Sequence, residues 1–390
     1  MPSVRYPVDP ITLRIDGVDW AFWKNTQVVR QMDAVAGTFA IGLADKWVEG
    51  ASALPIAAGM ECQVLIGKTK ILTGYIDKAS PSFSASDHGI VISGRDKSGD
   101  LVDCSAVHKP GHWQGLNAEQ LCAELAAPFG VDVVTAVGVD IGAPFPSFKL
   151  EQGETAFEAM DRILKQRELL IAPDGGGGLV IVTSGILTSQ TALVQGENIL
   201  SASAAFDMTD RFSDYLVQGQ QPGNDEVYGK QAAAVHAANQ DPAVTRYRPL
   251  ILRAESRVDS GAAQQRAAWE CTVRAARSVT VSVTVQGFRQ CPDGPLWMEN
   301  SLTDVDIPFL RISQQLLISK VSYARDAQGG SLTAMELKDP KSFTQEPKSA
   351  GAASGGGAAP KDYTIEAEKD LQTRSAENAA KAHRTIKEGA

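Results

Sequence analysis

Hydrophobic and polar positions alternate most cleanly between Ser278 and Gln286. Val279, Val281, Val283 and Val285 fall on one face, and Thr280, Ser282, Thr284 and Gln286 on the other. A period of two held over that length predicts a half-buried β-strand. The strand runs into a turn through Cys291, Pro292, Asp293, Gly294 and Pro295, and the large pair Leu296-Trp297 follows as the expected anchor of the next strand. Shorter runs of the same kind fill residues 11–100. Ile11, Leu13 and Ile15 precede an Asp16-Gly17 turn, Val64 to Ile66 run into a Gly67-Lys68 hairpin, Ile71-Leu72 return, and Ile90 to Ile92 are closed by Gly94. Turn signals recurring about every ten residues predict a small barrel or sandwich.

The period changes in residues 115–183. Asn117, with Gln120 three positions on, predicts a capped helix that buries Leu121 and Leu125 and stops at Pro128 and Gly130. Thr155 with Glu158 predicts a second helix, with Phe157, Met160, Ile163 and Leu164 as its apolar stripe. Leu169 to Ile171 and Leu179 to Val182 flank Gly175–Gly178 as a β-hairpin with a floppy tip. A third helix is expected from Ser260 to about Arg277, with Trp269 and Val273 inward and Arg266, Arg274 and Arg277 outward. Residues 348–360 are almost wholly Ala, Gly, Ser, Lys and Pro and read as a flexible linker. The polar stretch after Asp362 is too poor in bulky apolar residues to fold alone, so disorder, or a helix formed on a partner, is expected there.

Two β regions share a pattern. Ile71 to Ile76 parallels Leu316 to Val321, and the strands that follow, Gly89 to Gly94 and Ser331 to Leu337, end at Arg95-Asp96-Lys97 and Lys338-Asp339-Pro340-Lys341. The expected fold class is α+β, mainly β and multidomain, with two similar barrel-like domains. Boundaries fall at 1–100, 101–190, 191–345 with an inserted helix region at about 220–277, and 346–390 as linker and tail.

At 390 residues and 43% apolar content the chain fits a soluble protein of several domains. A net charge of −9 argues against phosphate-directed nucleic-acid binding, yet suits a surface that DNA passes without adhering. The five cysteines are odd in number and widely spaced, which reads as reduced, mostly buried thiols. No apolar run is long enough to span a bilayer, so no membrane insertion by this chain is expected.

Candidate chemistry is sparse. Gly67-Lys68-Thr69 resembles the end of a phosphate-binding loop, but Cys62 stands where that loop needs glycine. Cys104, His108 and His112 have a spacing of four, yet Pro110-Gly111 breaks the helix that would align them on a metal. His236 lacks a nucleophile motif and reads as a solvated loop residue. Glu154, Glu158 and Asp161 lie on one helical face, which fits either a carboxylate pair for wall hydrolysis or a solvated surface. No catalytic, cofactor or metal site is therefore assigned. Trp297 and Leu296 keep two readings, core anchor and subunit-contact anchor.

Four phrases carry a resemblance: Arg211-Phe212-Ser213-Asp214-Tyr215-Leu216-Val217-Gln218-Gly219-Gln220, Arg246-Tyr247-Arg248-Pro249-Leu250, Gln265-Arg266-Ala267-Ala268-Trp269-Glu270, and Gly294 to Asn300. In content, order and spacing they resemble the baseplate hub protein of Mu-like contractile-tailed phages, over roughly residues 5–345. That family is related in fold to T4-type hubs and to the base of type VI secretion spikes. The resemblance implies a virion protein made in the host cytoplasm and assembled as a homotrimeric ring. It would join the tail tube to a membrane-piercing central spike, with baseplate wedge proteins around it and a channel for the tape-measure protein and then DNA. On this reading Leu296, Trp297, Asn300, Arg266 and Arg274 are the candidate interface residues. The rivals are a tail-associated peptidoglycan-degrading enzyme and a type VI-like spike base.

Overall fold

The computed structural model describes residues 9–21, 25–44, 56–83, 88–219, 235–253, 260–326 and 330–344. The expected linker and tail from 346 onward lie outside the described residues. The chain divides into two compact units, one of residues 1–204 with 280–340, the other of residues 205–279 with those from 341.

The first unit begins with strands β1 (Ile11–Ile15), β2 (Val18–Trp20), β3 (Asn25–Gln31), β4 (Ala34–Ala44), β5 (Glu61–Ile66), β6 (Thr69–Phe83) and β7 (His88–Asp96). Alternation sets the faces: on β3, Thr26, Val28 and Arg30 are buried while Asn25 and Gln27 are exposed. The Asp16-Gly17 and Gly67-Lys68 turns form as the sequence predicts, and Asp16, Gly17 and Gly67 take positive φ.

A short helix α1 (Gly99–Asp103) leads to β8 (His112–Trp113), α2 (Ala118–Ala126), β9 (Val133–Thr135), β10 (Phe148–Lys149), α3 (Ala156–Lys165), β11 (Leu170–Pro173) and β12 (Leu179–Val182). Both expected capping boxes are present. Asn117 Oδ1 accepts from Gln120 N at 2.8 Å, and Thr155 Oγ1 accepts from Glu158 N at 3.1 Å, each bond being returned by the Gln or Glu side chain. Helix α2 ends in a 3-10 turn, Ala127–Phe129, and Gly130 turns left-handed at φ 65°. Leu121 and Leu125 from α2 and Met160, Ile163 and Leu164 from α3 share one core with Leu179 and Ile181 of the three-stranded sheet β11-β12-β9. The glycine-rich tip of the β11–β12 hairpin is held at several points, which corrects the expectation of a floppy turn. Asp174 Oδ1 accepts from Gly176 N and Gly178 N, and Thr73 Oγ1 donates to Gly175 O at 2.9 Å. A Cβ on Gly175 would stand 2.9 Å from the Lys70 carbonyl oxygen, and its φ is +80°, so this glycine is set by close backbone approach.

After β13 (Leu187–Thr188), β14 (Leu193–Val194) and β15 (Ile199–Phe206) the chain enters the second unit. There β16 (Asp214–Gly219) lies between β17 (Val235–Gln240) and β18 (Pro249–Arg253), antiparallel to the first and parallel to the second. Helix α4 (Ser260–Arg277) packs Ala262, Ala263 and Ala267 on Val217 and Ala237, small side chains that bring helix and sheet close.

The chain returns in β19 (Val279–Gln286), β20 (Ser301–Ile307), β21 (Ile312–Asp326) and β22 (Gly330–Lys338). Val281, Val283 and Val285 are buried, as the alternation predicts. The two β regions are not separate: β21 pairs antiparallel with β3, so a single 14-stranded sheet runs β15-β19-β22-β21-β3-β4-β7-β6-β5-β1-β2, with β20 beside β21 and β13 and β14 beside β20. Among the described residues this path stays open at β2 and β15.

Within it, the order β3-β4-β7-β6-β5 repeats as β15-β19-β22-β21-β20. Strands β5, β6 and β7 have 6, 15 and 9 residues, and β20, β21 and β22 have 7, 15 and 9. Each long strand carries a bulge near its middle, between Ile76 and Lys78 on β6 and between Ile318 and Lys320 on β21. The bulges align Ile76 with Ile318, whereas the sequence pattern set it opposite Val321. The strands were matched correctly and the register was not, because β-branched and leucine residues repeat too often to fix it. Where β3 and β4 are joined by Met32-Asp33, the second series inserts residues 207–278.

Candidate assembly surfaces and a buried polar cluster

Leu296 and Trp297, offered by the sequence as contact anchors, are buried at 4% and 1% exposure within the single chain. They sit in a loop ahead of β20, not at its start. Trp297 N donates to Phe288 O at 3.1 Å and Leu296 bridges to Arg289. Asn300 is buried at φ 60°, with Gly185 N donating to its Oδ1 at 2.6 Å and its Nδ2 donating to Thr183 O at 2.9 Å, so it ties the end of the α/β region to β20. In the second unit Arg266 and Arg274 do not simply face outward. They clasp the buried Glu270 from one turn before and one turn after, at 3.0 and 2.8 Å. Arg248 and Arg274 lie over Phe212 at 5.2 and 5.5 Å. Arg211 binds both oxygens of Asp241; burial alone would raise that carboxyl, and the guanidinium holds it below its ordinary value. Described residues of all four phrases, Phe212, Arg248, Glu270 and Trp297 among them, thus make contacts within the chain.

The other candidates disperse. Cys104 is exposed after α1, His108 stands against Trp113 and Glu124, and His112 meets Ser147 Oγ at 3.0 Å, so the three do not share a helix face. His236 lies exposed on strand β17, where a loop was expected. Glu154 pairs with Arg162, Glu158 completes a capping box and Asp161 pairs with Lys165. Cys62 and Cys122 are buried, and burial pushes both thiols up to about 12, whereas Cys271 and Cys291 are half-buried, so the thiols are less enclosed than expected.

Sequence reading missed a buried polar cluster in the first unit. The Arg30 guanidinium, from β3, contacts Glu299 Oε1 at 2.6 and 2.7 Å and donates to Ile71 O at 2.6 Å and Pro173 O at 2.7 Å. It thereby joins β3, β6, the β11–β12 hairpin and the loop before β20. Nearby, Asp96 Oδ2 accepts from Gly37 N at 2.9 Å and Oδ1 from Thr73 N at 3.2 Å. Tyr323 from β21 is fully buried and donates to the Trp297 carbonyl. The signal for Arg30 was parity: it shares the inward face with Thr26 and Val28.

Burial pushes the Asp96 carboxyl from its ordinary 3.8 up to about 7; Arg30 and the two backbone N–H groups pull it down, and Glu299 pushes it up. The folded chain then holds a proton between those values that the unfolded chain releases. The stability from this group is full below about 3.8 and is lost as pH rises toward about 7. Urea midpoints should therefore fall across that window, and Asp96→Asn should flatten the slope; an unchanged slope would show that this carboxyl does not set it.

Three family models match in chain order: "Mu phage baseplate assembly protein GpP-like, N-terminal" at residues 10–96, "Baseplate hub protein gp44-like, second domain" at 98–183 and "Mu phage baseplate assembly protein GpP, fourth domain" at 259–346. Together with the mainly β, multidomain fold they define a structural protein of a phage tail baseplate. The chain is 34% identical over 339 residues to the baseplate hub protein gp44 of Escherichia phage Mu, covering 85% of this chain and 88% of that one. It belongs to that baseplate hub family. The 43 kDa tail protein of prophage MuSo2 from Shewanella oneidensis superposes with a TM-score of 0.77 at 30% identity, covering 87% of this chain and all (100%) of the other. The tail protein from Neisseria meningitidis MC58 gives 0.71 at 22% identity, covering 86% and 98%, a likeness of fold.

Proposed function

We propose that three copies of this hub close into a ring that joins the tail tube to the central spike and leaves an axial channel for the tape-measure protein and then DNA. The observation that supports this reading is the repeated strand series: two similar segments per chain, taken three times, present six near-equivalent units to a six-fold tube while keeping three-fold symmetry for a spike. In this reading the domains are 1–100, 101–190 and 191–345, each series acts as a barrel-like ring segment, and residues 346–390 form the linker and tail. The chain is synthesised in the host cytoplasm, performs no covalent chemistry, is surrounded by wedge proteins and inserts into no membrane. Glu154, Glu158 and Asp161, the three carboxylates that share one helical face, are engaged in a capping box and ion pairs. Among the described residues no helix is long and apolar enough to cross a membrane. Light scattering of the purified chain should give a mass near three subunits; a stable monomer at micromolar concentration would refute the ring. A peptidoglycan zymogram should show no cleared band, and a cleared band would favour the enzymatic rival.

A further inference from the structure

Among its described residues the second unit is one three-stranded sheet with one long helix, so α4 covers a single face. Side chains alternate along β16, and the pairing registers carry that parity to both neighbours. Val217 pairs with Ala237 and Leu252, and this row packs on Ala262, Ala263 and Ala267 of α4. The opposite parity puts Leu216, Ala238 and Ile251 in one row on the other face. Leu216 and Ala238 are half-buried, and Ile251 is 56% exposed. The next row on that face is Gln218 with His236 and Arg253, the last two exposed. An apolar strip thus lies beside a strip that carries a guanidinium and an imidazole.

The chain itself supplies a segment of matching chemistry. Its last described residues lie against α4: Thr344 O accepts from Trp269 Nε1 at 3.0 Å, and Ser342 O accepts from Arg277 Nε at 3.1 Å. Residues 345–361, mostly Gly, Ala, Ser, Lys and Pro, then lead to Asp362. A Gly-rich chain of that length spans about 23 Å on average. That is enough to pass from α4 round the edge of a three-stranded sheet about 10 Å wide. Between Asp362 and Leu371 stand the acids Asp362, Glu366, Glu368 and Asp370 against the single base Lys369, with Tyr363, Ile365 and Leu371 as the bulky apolar residues. This segment lies beyond the three family matches, the last of which ends at residue 346.

We infer that residues 362–371 fold back on their own chain and cover the open face of the second unit. Tyr363, Ile365 and Leu371 lie over Leu216, Ala238 and Ile251, and the acids meet Arg253 and His236. Exposed ion pairs are weak singly. A short flexible tether, however, holds the segment at an effective concentration in the millimolar range, so modest contacts suffice. A separate partner would have to meet the same face without that advantage. The inference stands whether or not three copies close into a ring.

The test places the photo-crosslinker benzoylphenylalanine at Ile251 in the full chain and maps the adducts by mass spectrometry. Isotopically labelled and unlabelled chains are mixed, so that contacts within one chain are told from contacts between copies. Adducts should fall within residues 362–371 of the same chain. Glu366→Lys combined with Glu368→Lys, changes that touch only the segment, should lower their yield about five-fold, as expected for the loss of two exposed ion pairs. Adducts to a second copy, adducts confined to other segments, or the absence of any adduct in 362–371 would overturn the inference. A yield indifferent to both charge reversals would overturn it as well, because the match of acids to Arg253 and His236 would then play no part.

Discussion

Replacing Arg30 by methionine should destabilise the first unit by about 3–5 kcal/mol, the range for removing one partner of a buried ion pair. Glu299 is 5% exposed and would be left buried without its partner. The carbonyls of Ile71 and Pro173 would lose their donor as well. The loss should be larger near pH 8 than near pH 5. Arg30, with the Gly37 and Thr73 N–H groups, pulls the Asp96 carboxyl down, so without the guanidinium that group resists ionisation further and the cost of charging it grows as pH rises. Removing both partners, as Arg30→Met with Glu299→Met, should recover much of the stability, because a buried pair replaced by apolar side chains of similar volume is often neutral. Chemical denaturation of the two single variants and the double variant measures the coupling; additive losses would show that the pair does not act as a unit.

The same cluster marks the boundary of what the sequence could disclose. Capping boxes, two-residue turns and valine alternation were legible because each rests on residues within four positions of one another, where local sterics and hydrogen bonding decide. Arg30 and Glu299 are 269 residues apart, and their meeting depends on β21 pairing with β3, a choice that no local pattern encodes. The glycines at 175–178 were read as freedom for the same reason. Their function is close approach to Lys70, Ile71 and Thr73, residues that lie far from them in sequence. The repeat of strand order was partly legible in the strand pattern, but its register came only from the paired bulges.

Trp297 tests the two readings the sequence left open. At 1% exposure it fills the interior beside Phe288 and Tyr323, and its carbonyl accepts the Tyr323 hydroxyl proton. Trp297→Ala should therefore cost about 3–5 kcal/mol through the cavity it leaves. Trp297→Phe keeps most of the volume and the carbonyl contact, and gives up an indole N–H that has no partner among the described residues, so about 1–2 kcal/mol is expected. Both losses should appear in the urea midpoint of the isolated chain at concentrations where it is monomeric. A contact anchor would behave otherwise: the midpoint would hold while the mass by light scattering fell from three subunits toward one. The burial places the expected effect in the fold, and assembly should weaken only in proportion to the fraction of chains that unfold.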